Sequence, residues 1–290
     1  MSQNADNLFV EQYNSMVTHA FQPQGFILQG MFTPQGKIVG KKAYWPTFGR
    51  AKANEVTRFV ELALDNPAAS QVSADLRTWG HLGGVADFDG ERMEANEMQA
   101  LTKAAAMGLG REIDLACIAL LEAQAPTSGT GFINAGAAQL TSAQIQLGLA
   151  AWVDTNNIPT DGQLYAGISM NAHQQLMSDS SYSNSEWVGP DLPFKTNGVA
   201  QGRTWNFVNW VILPAEYLPR PSASTMDCYI WHKPSIGWTM NKQATSEWGR
   251  DIKLGAWLVR HEAAGCGIAL RPNAVMRLRI KTDLTTLTKV

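Results

Sequence analysis

The chain predicts an α+β fold, with strands and helices gathered in separate stretches of sequence. Three observations carry this. Residues 87–124, DFDGERMEANEMQALTKAAAMGLGREIDLACIALLEAQ, have the period of one long amphipathic helix. Residues 25–86 are basic, rich in Gly and Pro, and broken into short alternating runs of strand character. After Ser178 the chain turns to short strands dense in tryptophan.

From the N-terminus, residues 1–24 are polar, with Phe9, Tyr13, Val17 and Phe21 recurring every fourth position. That pattern suits a short helix or an arm that gains order by packing on something else. KIVGKKAYWPTF, EVTRFVELAL and SQVSADLRTW each read as a strand, separated by the turn signals Pro34-Gln-Gly36 and Asn66-Pro67. Lys37, Lys41, Lys42, Arg50, Lys52 and Arg58 face only Glu55 between positions 37 and 58. A two-stranded flap without a covering layer is marginal in water. Its charge reads equally as a solvated face or as a partner surface.

In the long helix, Asp87 and Asp89 suit capping, and Glu91, Glu94 and Glu97 place negative charge at the positive end of the macrodipole. Met98, Leu101, Ala105, Leu109, Ile113, Cys117 and Leu120 form one apolar stripe. A rod from Glu91 to Gln124 is about 50 Å long. Gly108 and Gly110 weaken its middle and point to a bend or a close helix–strand approach.

Pro126–Ala138 is a small-residue loop, and Thr141-Ser-Ala-Gln144 fits a capping box. Ile145, Leu149, Trp152 and Val153 make the buried face of a second helix ending near Asn156-Asn157. LYAGIS is a strand and Met170–Met177 a third helix. Trp187, Trp205, Trp210, Trp231, Trp238 and Trp248 then fall in strands, where core or protein interface is the usual use of Trp. IKLGAWLVRHEA and CGIALRPNAVMRLRIK read as two closing strands that return to the domain of the long helix.

The bulk numbers exclude several classes. The chain has 290 residues, 45% hydrophobic, with a formal charge of −2, which argues against a general nucleic-acid binder. It has no apolar run of membrane-spanning length and no signal-peptide pattern, so no membrane association is expected. Cys117, Cys228 and Cys266 are far apart and read as buried free thiols of a reducing cytosol. The five histidines lack zinc spacing, Asp87 and Asp89 do not complete a calcium loop, and neither GxxxxGK[ST] nor GxGxxG occurs. No metal, cofactor or catalytic residue is therefore assigned.

The one enzyme-like pattern is Gly167-Ile-Ser169-Met-Asn171 at a strand-to-helix junction, where a hydrolase places its nucleophile. Asp179, Asp191, His232 or His261 could complete a triad, and His81-Leu-Gly-Gly84 resembles an oxyanion loop. The pattern wants glycine where Asn171 stands, and Ser169 serves more simply as a helix N-cap.

The order of parts resembles the major capsid proteins of tailed bacteriophages, the HK97-like capsid fold. The resemblance is carried by GKIVGKKAYWPTFGRAKANEVTRF, the LGREID phrase of the long helix, GISMNAHQQLMSD, KTNGVAQGRTWNFVNWVILP ending in Leu-Pro, and the Arg271-Pro-Asn-Ala274 phrase of the closing strands. It implies an N-terminal arm (1–28), an extended β-hairpin loop with its flanks (29–84), a peripheral domain with the long spine helix (85–160), an axial domain (161–250) and return strands of the peripheral domain (251–290). It also implies a structural subunit, not an enzyme, that self-assembles through hexamers and pentamers into an icosahedral head around phage DNA. Such a protein belongs to the virion and is assembled in the host bacterial cytoplasm. Portal, scaffolding and decoration proteins are the implied partners, with packaged DNA touched non-specifically. No long charged helical extension of the scaffolding type precedes the arm. An encapsulin-like compartment shares the fold and stays an alternative, as does a serine hydrolase built on Ser169.

Joined to the charge pattern, this makes Lys37, Lys41, Lys42, Tyr44, Trp45, Phe48, Arg50, Lys52 and Arg58 of one flap the candidate contacts for a neighbour's helix start at Asp87, Asp89, Glu91, Glu94 and Glu97.

Overall fold

In a computed structural model, the described residues are 25–34, 37–53, 55–56, 58, 64–86, 97–136, 138–183 and 203–284. They divide between two compact units. One holds residues 25–27, 77–113 and 240–264, and the other residues 28–76, 114–239 and 265–284.

The second unit is built on a mixed six-stranded sheet of β5 (Phe132–Asn134), β6 (Leu164–Ser169), β7 (Arg203–Trp205), β8 (Val208–Leu213), β9 (Thr225–His232) and β12 (Val275–Lys281), in the order β5-β12-β9-β6-β8-β7. β12 pairs parallel to β5 and antiparallel to β9, with Val275 opposite Trp231 and Lys281 opposite Thr225. All of β9 beyond Thr225 is buried, as its apolar run demands when both faces are covered. Helix α2 (Ser142–Asn156) starts on the expected capping box between Thr141 and Gln144 and ends on Asn157 in the left-handed region. Its buried face is Ile145, Leu149 and Trp152. Helix α3 (Met170–Met177) begins at Ser169, and a short α4 (Ser180–Ser183) follows.

Among the described tryptophans of this set Trp205, Trp210, Trp231 and Trp238 are buried core groups and Trp248 in the first unit is half-exposed, while Trp187 lies outside the described residues. Trp231 donates its indole N–H to the Met31 carbonyl at 3.1 Å and stacks on Phe32.

KIVGKKAYWPTF is not one strand but a hairpin. Gly40 (φ +60°) and Lys41 make the turn between β1 (Lys37–Val39) and β2 (Lys42–Phe48), with Val39 paired to Lys42. SQVSADLRTW also divides, at Leu76, into β3 (Ala69–Asp75) and β4 (Arg77–Ala86), which join different sheets. Glu55, Val56 and Arg58 are not in a strand, and most of EVTRFVELAL lies outside the described residues.

The first unit contains β4 with the outer parts, from Met240 to Ala264, of β10 (Ile236–Asp251) and β11 (Ala256–Ala269), in the sheet order β10-β11-β4. Ile252–Gly255, expected as the start of a strand, is the turn joining β10 to β11, with Gly255 at φ +57°. The second closing run is likewise broken at Arg271–Ala274, so that only β12 follows it. β12 lies in one sheet with β5, a strand of the stretch 85–160, and with β6, β7, β8 and β9, strands of the stretch 161–250.

Helix α1 spans Glu97–Gln124, about 42 Å at 1.5 Å per residue. Asp87, Asp89, Glu91 and Glu94 lie outside the described residues. Ala105, Leu109, Ile113, Cys117 and Leu121 are its buried stripe, the last in place of the expected Leu120, which is half-buried. Gly110 marks a close approach: a β-carbon there would sit 2.7 Å from the Phe26 ring and 2.9 Å from Gly25. Phe26 meets it in the left-handed region (φ 61°). At Gly108 the nearest group is the flexible Arg111 side chain at 3.5 Å. Gly108→Ala is thus expected to stabilise the protein by up to about 1 kcal/mol. Gly110→Ala should instead destabilise it, since the overpacking cost of about 1–3 kcal/mol outweighs the propensity gain. Urea unfolding of the two variants checks the reversal of sign.

Candidate assembly interface

The flap's root faces two ways. Ala43 and Trp45 alternate inward on β2 and pack with Cys266, Ile38, Ala74, Leu76, Ile268 and Leu270. Trp45 is 2% exposed. It was expected among the groups offered to a neighbour; it is instead taken up by its own subunit, and the flap's root does have a core. Tyr44 is half-buried and Phe48 is 75% exposed. Lys37, Lys41, Arg50, Lys52 and Arg58 are exposed, and Lys42 pairs with Asp75 across the β2–β3 ladder at 3.8 Å. From Gly49 to Ala68 every described residue except Pro67 is exposed, including Val56 at 68% and Leu64 at 87%. Glu97 opens α1, and its side chain lies outside the described residues together with the rest of the acidic cluster. The charge match between flap and helix start is therefore carried by the sequence on its acidic side.

A second exposed region lies in the first unit, at the tip of the β10–β11 hairpin. Gln243 to Arg250 are exposed without alternation, and Trp248, Ile252, Leu254 and Trp257 stand out of the tip. A strand polar on one face and apolar on the other would cover one of them with its own chain. Sequence reading missed this because the turn at Ile252–Gly255 was taken for strand. On β4 and α1 a groove of about 650 Å³ is lined by Trp79, His81, Leu101, Ala105, Leu109 and Glu112, among others.

The second unit is cemented by a buried charge cluster that sequence reading also missed. Arg277 on β12 donates to the Asp227 carboxylate at 3.2 Å and to the Glu122 and Ala125 carbonyls at 2.9 and 3.2 Å. Helix α1 has no basic residue in its last turn, so its orphan carbonyls are capped from β12. Arg279 grips the same carboxylate through two bonds of 2.7 and 2.9 Å, which raises its pKa above the ordinary value.

The hydrolase constellation is not assembled. Ser169 is 1% exposed, and its oxygen accepts the Ala172 N–H at 3.1 Å, the N-cap role. Burial pushes the neighbouring Cys228 thiol up to about 12. Asp179 bonds to Ser142, His261 to Ser246, and His232 to Ser235 and Asp161. Asp191 lies outside the described residues. His81–Gly84 is regular β4 strand, not a loop. Among the described residues there is no group of three His, Cys, Asp or Glu placed to hold a metal ion, and no helix is long and apolar enough to cross a membrane.

His232 and His261 give the protein an acid dependence. Burial holds both below the usual histidine value. Asp161 opposes this at His232, while His81 adds to it at His261. The unfolded chain takes up these protons near pH 6.5, before the folded one does. Stability is therefore full above that pH and falls as pH drops toward the depressed folded values. Melting temperatures between pH 7.5 and 5 should decline, and less steeply in the His232→Gln, His261→Gln double variant.

Solved structures place this architecture among phage head shells. The chain matches the capsid of Cyanophage P-SCSP1u at 18% identity and a TM-score of 0.72, covering 94% of this chain and 93% of that one. It matches the Cyanophage Pam1 capsid asymmetric unit at 11% identity and 0.68, covering 96% and 97%, and Mycobacterium phage Che8 at 15% and 0.66, covering 94% and 97%. No curated protein sequence matches it significantly. The fold is thus that of a phage capsid subunit. The chain belongs to the phage capsid protein family, which it matches over residues 5–282. Its role is structural, as a component of the virion shell, and neither the hydrolase nor the cargo-compartment alternative finds support.

Proposed function

We propose that the chain is the head's major shell subunit, that copies join as hexamers and pentamers, and that the flap makes the principal contact between neighbours. The observation that carries this is the exposure of every described residue from Gly49 to Ala68 except Pro67, with Phe48, Val56 and Leu64 uncovered. Apolar groups displayed in this way favour burial against another molecule. Phe48, Val56 and Leu64 take the place of Trp45 as the source of strength, at about 25 cal/mol per Å² removed from water before ordering costs. Lys37, Lys41, Arg50, Lys52 and Arg58 set register against Asp87, Asp89, Glu91, Glu94 and Glu97 of the neighbour, since exposed pairs are each worth only about 0–1 kcal/mol.

In this reading residues 1–28 are the arm, 29–84 the flap and its flanks, 85–160 the peripheral part with the long helix, and 161–250 the axial part. Residues 251–290 are the returning strands. The Trp248–Trp257 hairpin tip is a second contact between copies, its Glu247 and Asp251 matched by Arg250 and Lys253 on the same tip. Portal, scaffolding and decoration proteins are the further partners, and the shell meets packaged DNA without sequence preference. Expression of the chain, alone and with the genes upstream of it, should yield closed megadalton particles by sedimentation and negative-stain microscopy. A product that stays monomeric in both cases would overturn the proposal.

A further inference from the structure

We infer that His81 and His261 form a binding site for zinc or a similar imidazole-preferring divalent cation, in the sheet of the first unit. Ser246, His261 and His81 come from β10, β11 and β4, the order of the strands in that sheet. His261 is 2% exposed, and its Nδ1 lies 2.8 Å from the Ser246 hydroxyl oxygen. Its other nitrogen, Nε2, is buried with no hydrogen-bond partner. A buried ring nitrogen left in that state is unfavourable unless something occupies it. In the tautomer that donates Nδ1–H to Ser246, Nε2 keeps the lone pair. A metal-ligating histidine is arranged in this way, its second nitrogen held by a hydrogen bond that fixes the ring.

The spacing of the two rings narrows the choice of occupant. Their centroids are 6.3 Å apart and the planes are tilted by 45°. A direct N–H···N bond of about 2.9 Å would draw the centroids to about 5 Å. One zinc ion shared at about 2.0–2.1 Å per bond leaves them about 5–6.5 Å apart. The gap therefore holds one atom between the rings. His81 is exposed and lines the groove on β4 and α1, which gives an ion and its waters a path to the pair. Charge does not oppose a cation there. Arg111 and Glu112 line the same groove with opposite signs, and Lys242 and Arg260 both pair with Glu262. Two side chains completed by water make an open site, and neutral imidazoles suit zinc, nickel or copper better than magnesium or calcium. Bound there, the ion ties β4 to β11, strands far apart in sequence. Histidine spacing along the chain could not show such a pair.

Calorimetric titration of the untagged full-length protein with zinc chloride at pH 7.5 tests the site. It should show one ion per subunit, and saturating zinc should raise the melting temperature by at least about 3 °C. Magnesium chloride should do neither. His81→Gln should weaken zinc binding at least about tenfold. Its melting temperature without zinc should stay unchanged, because that side chain is exposed. Acidification to pH 5.5 should release the ion as the imidazoles take up protons. In histidine-ring NMR spectra zinc should move the signals of His81 and His261 and leave those of His173 and His232 in place. His261→Gln should also lose binding; should it unfold the subunit, His81→Gln carries the comparison. Zinc held equally well by His81→Gln, or a response confined to other histidines, is adventitious binding and overturns the inference. So does the absence of any response up to millimolar zinc, which would leave a bridging water as the occupant of the gap.

Discussion

Arg277→Ala is expected to cost about 3–5 kcal/mol of folding stability, the usual loss when one partner of a buried charge pair is removed. The side chain is 6% exposed and makes three bonds at once, to Asp227, to the Glu122 carbonyl in the last turn of α1 and to the Ala125 carbonyl just beyond it. Without it Asp227 keeps Arg279, but the helix end loses its only described cationic cap. Arg277→Lys should lose less, because the charge remains while one ammonium cannot serve three acceptors in fixed positions. Chemical denaturation measures both. A loss for Arg277→Ala below about 1 kcal/mol, the scale of an exposed pair, would show that the cluster is solvated and unimportant.

The second large effect is on assembly. Lys41→Glu, Arg50→Glu and Lys52→Glu together should leave the unfolding midpoint of the free subunit unchanged, since all three side chains are exposed. Lys42 is left in place because it is tied to Asp75 in its own subunit. Particle yield should nevertheless fall by at least about tenfold, because a small penalty per contact is multiplied over every copy in a closed shell. Restoring assembly with Glu91→Lys and Glu94→Lys in the same chain would identify the acidic partner. Normal yield from the triple variant would remove the flap's charges from the account.

What could be read from the sequence follows from the range of the forces involved. The capping box at Thr141, the stop at Asn157, the strand Leu164–Ser169 and the helix Met170–Met177 rest on neighbours within four residues, and all were legible. Trp45 was misjudged because its socket comes from residues 237 and 266, far away in sequence. A signal was available in the alternation of Ala43 and Trp45 with Lys42, Tyr44 and Pro46, which gives the root an inner face. Gly237 and Gly267, glycines inside strands with no turn to make, also hinted at close packing: a β-carbon on Gly267 would lie 2.5 Å from Trp238. Arg277 looked like one more cation in an alternating strand. Only its pairing with Tyr229, beside Asp227, shows why a charge is tolerated there.

The place of β12 in its sheet also has a consequence for the timing of synthesis. The strand fills the gap between β5 and β9, which are otherwise not neighbours. A ribosome releases residues 275–281 only after it has made everything that precedes them, so until then a growing chain carries an open sheet edge and an uncapped helix end. Contacts that distant in sequence close late and slowly. A chain still short of residue 275 accordingly presents its flap without the completed six-stranded sheet, and the second unit can close only once β12 has emerged.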